Sequence, residues 1–352
     1  MEIGSEFSYY NTSSTNEKKV YRFKDKKYMF TFSGRTSIET VLKNEPQIKK
    51  ALLPSYCCDS MISPFRKAGI KVDFYDVLYE YEFNVNVNIE DDIDAILWCN
   101  YFGYNVNMPD MSAFIYRGGV VIEDITHSLL SNSVYHKQSS YLIGSVRKWG
   151  PVLSGGICVS LNRCLNETPQ GYPGRGYIDD KKRAMIQKQK YLSGDKDVCK
   201  EEFLEMFSES NKWLANNYSD LKIDEESMEI LHNMDWDEIR KKRFDNAIAL
   251  YNGINTCKNI KPLFIVESMS CPLFVPIIVN KEYRQSLRQC LTKNEIYCPI
   301  HWPKPNDKCE SNLYDIELSL ICDQRYNEND MQRMIDVIKK WDEDLENIKK
   351  EI

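Results

Sequence analysis

The chain has 352 residues, of which 42% are apolar and 28% charged, with a formal net charge of −6. That length can bury a large core and suits more than one domain, whereas the acidic balance excludes the basic surface that non-specific nucleic-acid or anionic-membrane binding needs. No run approaches membrane-span length and the first 30 residues are too polar and acidic for a signal peptide, so a cytoplasmic protein working off the membrane is expected.

From about residue 28 to 160, short apolar runs alternate with helix-like or polar stretches. The runs are Tyr28 to Phe32, Ala51 to Leu53, Ile70 to Val77, Ile93 to Cys99, Gly119 to Ile122, Tyr141 to Ile143 and Ile157 to Ser160. Several are almost continuously apolar, as strands covered by helices on both faces are. The pattern predicts an α/β fold with a seven-strand, mostly parallel sheet. Ligands of such sheets sit at the carboxyl ends of strands, where Ser33, Tyr56, Asn100, Asp124 and Ser145 fall.

Asn166 to Tyr177 holds two prolines and three glycines and reads as a loop, and Asp179 to Asn217 is charged with helical period. Trp236 to Leu250 predicts another helix, with Arg240, Lys241, Lys242 and Arg243 as a solvated basic face. Beyond it, Leu263 to Val266, Leu273 to Val279, Ile296 to His301 and Ile316 to Ile321 read as strands. Lys281 to Leu291 and Glu328 to about Ile348 read as helices. The expected organisation is a large α/β domain over 1–250 and a smaller α+β domain over 251–352.

Twelve cysteines are scattered without secretory context, and Cys57-Cys58 cannot form a CxxC pair, so reduced thiols are expected. Cys290, Cys298 and Cys309 lack metal-ligand spacing and there are only four histidines, so no metal site is expected.

Three motifs follow one another in a telling order. Ser33-Gly34-Arg35-Thr36-Ser37 opens a helix, Val121-Ile122-Glu123-Asp124 ends an apolar run in acids, and Ser145-Val146-Arg147-Lys148 places a lysine before Gly155-Gly156. A helix N-terminus offers free N–H groups and a positive dipole end to a phosphate. A carboxylate at a strand end can keep a pyridine nitrogen protonated, and a lysine can form a Schiff base. These are the parts needed to hold and use pyridoxal phosphate. Each also has a plain structural reading: a serine cap, an acid starting a turn, an exposed lysine beside Arg147.

From Phe32 to Ser160 the chain resembles the large domain of fold-type-I pyridoxal-phosphate enzymes of the aspartate-aminotransferase type. It is most similar to the DegT/DnrJ/EryC1/StrS aminotransferases, which aminate keto-sugar nucleotides. The matching residues are Ser33-Gly34-Arg35-Thr36-Ser37, Leu53-Pro54-Ser55-Tyr56, Asn100-Tyr101-Phe102-Gly103, Val121-Ile122-Glu123-Asp124 with His127, and Lys148 before Ser154-Gly155-Gly156. Ile300-His301-Trp302-Pro303 and Leu318-Ser319-Leu320 resemble the family's small domain.

The resemblance implies Lys148 as Schiff-base lysine and proton shuttle, Asp124 on the pyridine nitrogen and His127 on the phenolic oxygen. Gly34, Arg35 and Thr36 would cradle the phosphate with Ser145, and Tyr56 and Asn100 would also contact the cofactor. Arg147, Arg325 and His301 are the candidates for holding the substrate. It further implies a homodimer with its sites at the subunit interface and an amino donor such as glutamate. Two departures accompany these matches. Cys58 stands where the family's ring-stacking aromatic falls, which leaves Tyr56, Tyr101 or no ring for that role. The asparagine-tyrosine-arginine segment after the Gly-Gly turn, which helps bind the sugar nucleotide and a neighbouring subunit's phosphate, has no counterpart between 161 and 250. Two further functions stay open: an aminotransferase or lyase acting on a small amino acid, and a binding or regulatory protein on the same scaffold without turnover.

Overall fold

The computed structural model describes residues 2–9, 23, 25–131, 135–306 and 309–351. In chain order the elements are β1 (Ile3–Gly4), β2 (Lys27–Thr31), α1 (Gly34–Asn44), β3 (Lys50–Pro54), α2 (Asp59–Lys67), β4 (Lys71–Tyr79), β5 (Phe83–Asn86), β6 (Ala95–Cys99), α3 (Ser112–Tyr116), β7 (Val120–Asp124), β8 (Tyr141–Ser145) and β9 (Gly156–Ser160). Then come α4 (Arg175–Leu192), α5 (Lys200–Asn216), α6 (Glu225–Asn233), α7 (Trp236–Ile254), β10 (Ile260–Pro262), β11 (Val275–Val279), α8 (Lys281–Lys293), β12 (Ile296–Tyr297), α9 (Leu313–Ile316), β13 (Glu317–Leu320) and α10 (Glu328–Glu351).

One eight-stranded sheet dominates, in the order β2-β9-β8-β7-β6-β3-β4-β5. Strands β4, β3, β6, β7 and β8 run parallel, while β9 is antiparallel to both β2 and β8. All five residues of β6, Ala-Ile-Leu-Trp-Cys, and all five of β7 are buried, as befits strands covered on both faces. The carboxyl ends of β2, β3, β6, β7 and β8 therefore share one edge, and the segments leaving them converge there.

The seven expected strands are present, and an eighth, β5, extends the sheet as the antiparallel partner of β4. Its sequence Phe-Asn-Val-Asn alternates half-buried and exposed residues, so it carries no continuous apolar run to reveal it. The charged helical stretch is two helices, α4 and α5, separated by a turn in which Gly194 takes φ +85°, a conformation natural to glycine.

A second, three-stranded antiparallel sheet, β10-β11-β13, lies in the C-terminal part, where α10 packs on α7 and α8. Two expected strands are displaced or shortened there. Pairing with β11 involves Ile260–Pro262 instead of Leu263 to Val266, and Ile296–Tyr297 alone is extended, paired with β1. Nor is Arg243 on a solvated face. It is 1% exposed, its guanidinium lies 4.7 Å from the Trp149 ring centre, and it donates to Gln324 Oε1 and the Leu273 carbonyl. The twelve cysteines are all free thiols.

Candidate active site

The carboxyl edge of the large sheet opens into a cavity whose wall includes Ser33, Gly34 and Arg35 from the start of α1, Asp124 at the end of β7, and Ser145, Arg147 and Lys148 after β8. Local chemistry explains how each arrives. Ser33 is the N-cap of α1, with its Oγ accepting the Thr36 N–H at 3.3 Å, which leaves the first N–H groups of the helix free toward the cavity. The Gly155-Gly156 turn lets β9 pass under that cap, since a Cβ on Gly156 would stand 2.3 Å from the Ser33 carbonyl oxygen.

Lys148 ends a 3-10 turn, Val146–Lys148, that caps β8. Burial pushes its amine below the ordinary lysine range, because the charged form loses its hydration. Its Nζ lies 3.4 Å from His127 Nε2. His127 Nδ1 accepts the Phe102 N–H at 3.1 Å, so a neutral imidazole carries its proton on Nε2, facing the amine. Burial, with Lys148 and His301 adding, drives His127 well below its usual pKa and keeps it neutral. Asp124 is held through Oδ1, which accepts the Thr126 N–H at 2.8 Å, and burial raises its pKa against the opposing pull of Thr126 and Lys148.

The wall is cationic. Arg35, Arg147 and Lys148 line it with Asp124 as the acid among the lining residues, and the Nε atoms of Arg35 and Arg147 are buried without a hydrogen-bond partner. Arg35 meets the carboxylate of exposed Asp59 at 3.6 Å. Glu6 lies near Arg147; although burial opposes it, Lys181, Asn211 and Arg147 hold its carboxyl down to about 2. Orphaned guanidinium N–H groups beside a free helix N-terminus suit an anion such as a phosphate or carboxylate. A half-buried amine and a strand-end carboxylate in the same cavity complete the set of groups that pyridoxal phosphate requires. Among the described residues no cluster of histidine, cysteine or acid side chains is placed to hold a metal.

Five of the residues expected at the site are not brought to this cavity wall. The Thr36 hydroxyl is spent on the Tyr218 carbonyl at 2.8 Å. Tyr56 is fully buried and stacked on Tyr101 with ring centres 5.7 Å apart. Asn100 donates to Glu123 Oε1 and Ser128 Oγ on the far side of β7 and accepts from Trp98. His301 turns its Nδ1 to Ser319 Oγ at 2.8 Å, with its ring 5.6 Å from that of His127. Arg325 is locked to Asp323 at 2.7 Å and to the carbonyls of Ser5 and Glu6.

Conversely, Trp302 and Leu214 line the cavity. Trp302 lies within the Ile300-His301-Trp302-Pro303 match, whereas Leu214 sits in the last turn of α5, where nothing in the sequence marks it.

Solved structures share this architecture. Helicobacter pylori PseC, an aminotransferase involved in the biosynthesis of pseudoaminic acid, superposes with TM-score 0.64 at 13% identity over 97% of this chain and 94% of its own. DesV of S. venezuelae, in complex with a ketimine intermediate, gives TM-score 0.63 at 14% identity over 90% of this chain and 85% of its own. A DegT DnrJ EryC1 StrS aminotransferase from Brucella abortus gives TM-score 0.62 at 15% identity over 93% and 89%. This chain has the fold-type-I aminotransferase fold. No protein-family model and no curated protein sequence matches it. No helix among the described residues is long and apolar enough to cross a membrane.

Proposed function

We propose that this protein is a pyridoxal-phosphate-dependent aminotransferase that moves an amino group from glutamate or a similar donor to a keto-sugar nucleotide. What carries the proposal is the Lys148 amine: half-buried, with its pKa lowered by desolvation, 3.4 Å from His127 Nε2, and sharing one cavity with Asp124 and the N-terminus of α1. The sugar-nucleotide acceptor is supported by the motif resemblance and by the fold shared with DesI, whose structure was determined in the presence of its TDP-sugar product, at 11% identity and TM-score 0.61.

When bound, the cofactor supplies an electron sink for the charge that develops at the substrate Cα. The chain's own residues do the rest. Lys148 would hold the cofactor through its Nζ, and its amine would be the group that carries a proton to and from the substrate carbon. Asp124 keeps a proton on the pyridine nitrogen by opposing its charge. Backbone N–H groups of Gly34 and Arg35 with the Arg35 guanidinium and Ser145 hold the phosphate, and Arg147 holds a carboxylate or phosphate of the substrate. A homodimeric assembly in the cytoplasm, with a large domain over 1–250 and a small one over 251–352, belongs to the same proposal.

The test is the visible absorbance of the purified protein with pyridoxal phosphate, before and after L-glutamate, beside Lys148→Ala. The expected result is a Lys148-dependent band that glutamate abolishes and a keto-sugar nucleotide restores. Restoration by 2-keto acids and never by a keto-sugar nucleotide moves the acceptor to small 2-keto acids, as in an aminotransferase of small amino acids; a wild type without any Lys148-dependent band overturns the proposal.

A further inference from the structure

The cavity wall at the start of α2 carries a thiol. Cys58 is the N-cap residue of that helix, its Sγ lies 2.8 Å from Ser60 Oγ, and it lines the cavity together with Lys148 and Asp124. Of the lining residues, two carry rings, His127 and Trp302. The Trp302 indole and the His127 imidazole have centroids 5.7 Å apart and planes 30° from parallel. The indole's other ring neighbours are Tyr56 at 5.1 Å, Tyr101 at 6.4 Å and His301 at 5.3 Å, each tilted or edge-on to it. Tyr56 and Tyr101 are 0% and 1% exposed and stacked on one another, so neither can reach the cavity without dismantling the core.

We propose that Trp302 covers the ring of the bound cofactor, so that the stacking surface comes from the C-terminal part of the chain while Cys58 leaves the start of α2 without one. This assignment rests on the cofactor proposed above. A flat heteroaromatic ring in a cavity with a charged wall needs an apolar face against it to exclude water and gain dispersion contacts. Trp302 is the large aromatic face on this wall. Its contacts with two tyrosines and the His301 imidazole fix its plane in advance, so little rotamer freedom is lost on binding.

The experiment is equilibrium binding of pyridoxal phosphate, read by visible absorbance and by induced circular dichroism, to the wild type, Trp302→Phe, Trp302→Met, Trp302→Met/Cys58→Phe and Lys148→Ala. Methionine keeps apolar bulk without a ring. The expected results are a loss of affinity of about 3- to 10-fold in Trp302→Met with a weakened induced dichroic signal, near-wild-type affinity in Trp302→Phe, and recovery of most of the loss in the double variant, where a ring returns at the start of α2. Trp302→Met binding as tightly as the wild type overturns the assignment, and so does a double variant that stays as weak as Trp302→Met. Failure of the cofactor proposal itself shows differently, as a wild type with no Lys148-dependent absorbance.

Discussion

The Lys148 Nζ stands 3.4 Å from His127 Nε2 while the opposite nitrogen of that imidazole accepts the Phe102 N–H. The backbone thus selects the tautomer, and the tautomer turns an N–H donor toward the amine. A neutral amine can accept that hydrogen; an ammonium group cannot. A hydrogen bond to the neutral form lowers the pKa further in the direction that burial already drives it.

The rate of covalent loading should accordingly rise with pH and level off below 10.5, the ordinary lysine value from which Lys148 is lowered. In His127→Ala the donor is lost and water enters, so the profile moves to higher pH and loading at neutral pH slows by roughly tenfold for each unit of displacement. Stopped-flow absorbance after mixing with pyridoxal phosphate reads this directly. A profile unchanged by the substitution would show that the imidazole does not set the state of the amine.

Replacing the half-buried Lys148 amine by an uncharged side chain should stabilise the cofactor-free protein. Lys148 has a lowered folded-state pKa, so the unfolded chain binds more protons between the folded value and 10.5, and stability rises with pH across that window. The unfavourable desolvation acts below the folded value and is relieved as pH rises through it. Lys148→Met, similar in volume and uncharged, is expected to raise Tm of the cofactor-free protein by roughly 2 °C or more, with the gap over wild type narrowing as pH climbs. Thermal melts at pH 7 and 9.5 check both the sign and the trend.

Arg35 and Thr36 are adjacent, yet their substitutions should fail in opposite ways. Thr36→Val leaves the Tyr218 carbonyl without its 2.8 Å donor, costing about 1–3 kcal/mol of stability and leaving cofactor affinity nearly intact. Arg35→Met removes a guanidinium whose buried Nε has no partner; the expected change is a loss of pyridoxal phosphate affinity of about 10-fold or more, since charge-assisted donors to a phosphate are lost. Chemical denaturation and equilibrium binding on both variants separate the two roles.

Arg325→Ala should behave as a structural lesion. The guanidinium pairs with Asp323 and holds the carbonyls of Ser5 and Glu6, and Asp323, though buried, is kept below its usual pKa by Arg325. Breaking the pair is expected to cost about 3 kcal/mol. The sign follows from linkage: a depressed carboxylate stabilises above its unfolded value of about 3.9 and loses that contribution as pH falls through the lower folded value. The variant's deficit should therefore be full at pH 7 and shrink below pH 4, with KM for carboxylate substrates unchanged. A rise in KM at unaltered Tm would return Arg325 to the substrate side.

Much of this protein was determined by local sequence. The apolar runs specified the strands of the large sheet because burial on both faces demands continuous aliphatic sequence, and Ser33, Asp124, Ser145 and Lys148 lie where those runs stop, at the one edge that parallel strands leave for a ligand. Tertiary structure decided which side chains look into the cavity. Residue type fixes what a group can do, but its direction depends on partners distant in sequence. Thr36 is claimed by Tyr218, Asn100 by Glu123 and Ser128, and His301 by Ser319. Arg243, one of four basic residues on α7, is drawn inward because Trp149, Gln324 and Leu273 offer it a ring and two acceptors. Trp302 and Leu214 reach the wall only because the C-terminal part and α5 fold back over it. Such placements rest on packing between segments far apart in the chain, and no local periodicity encodes them.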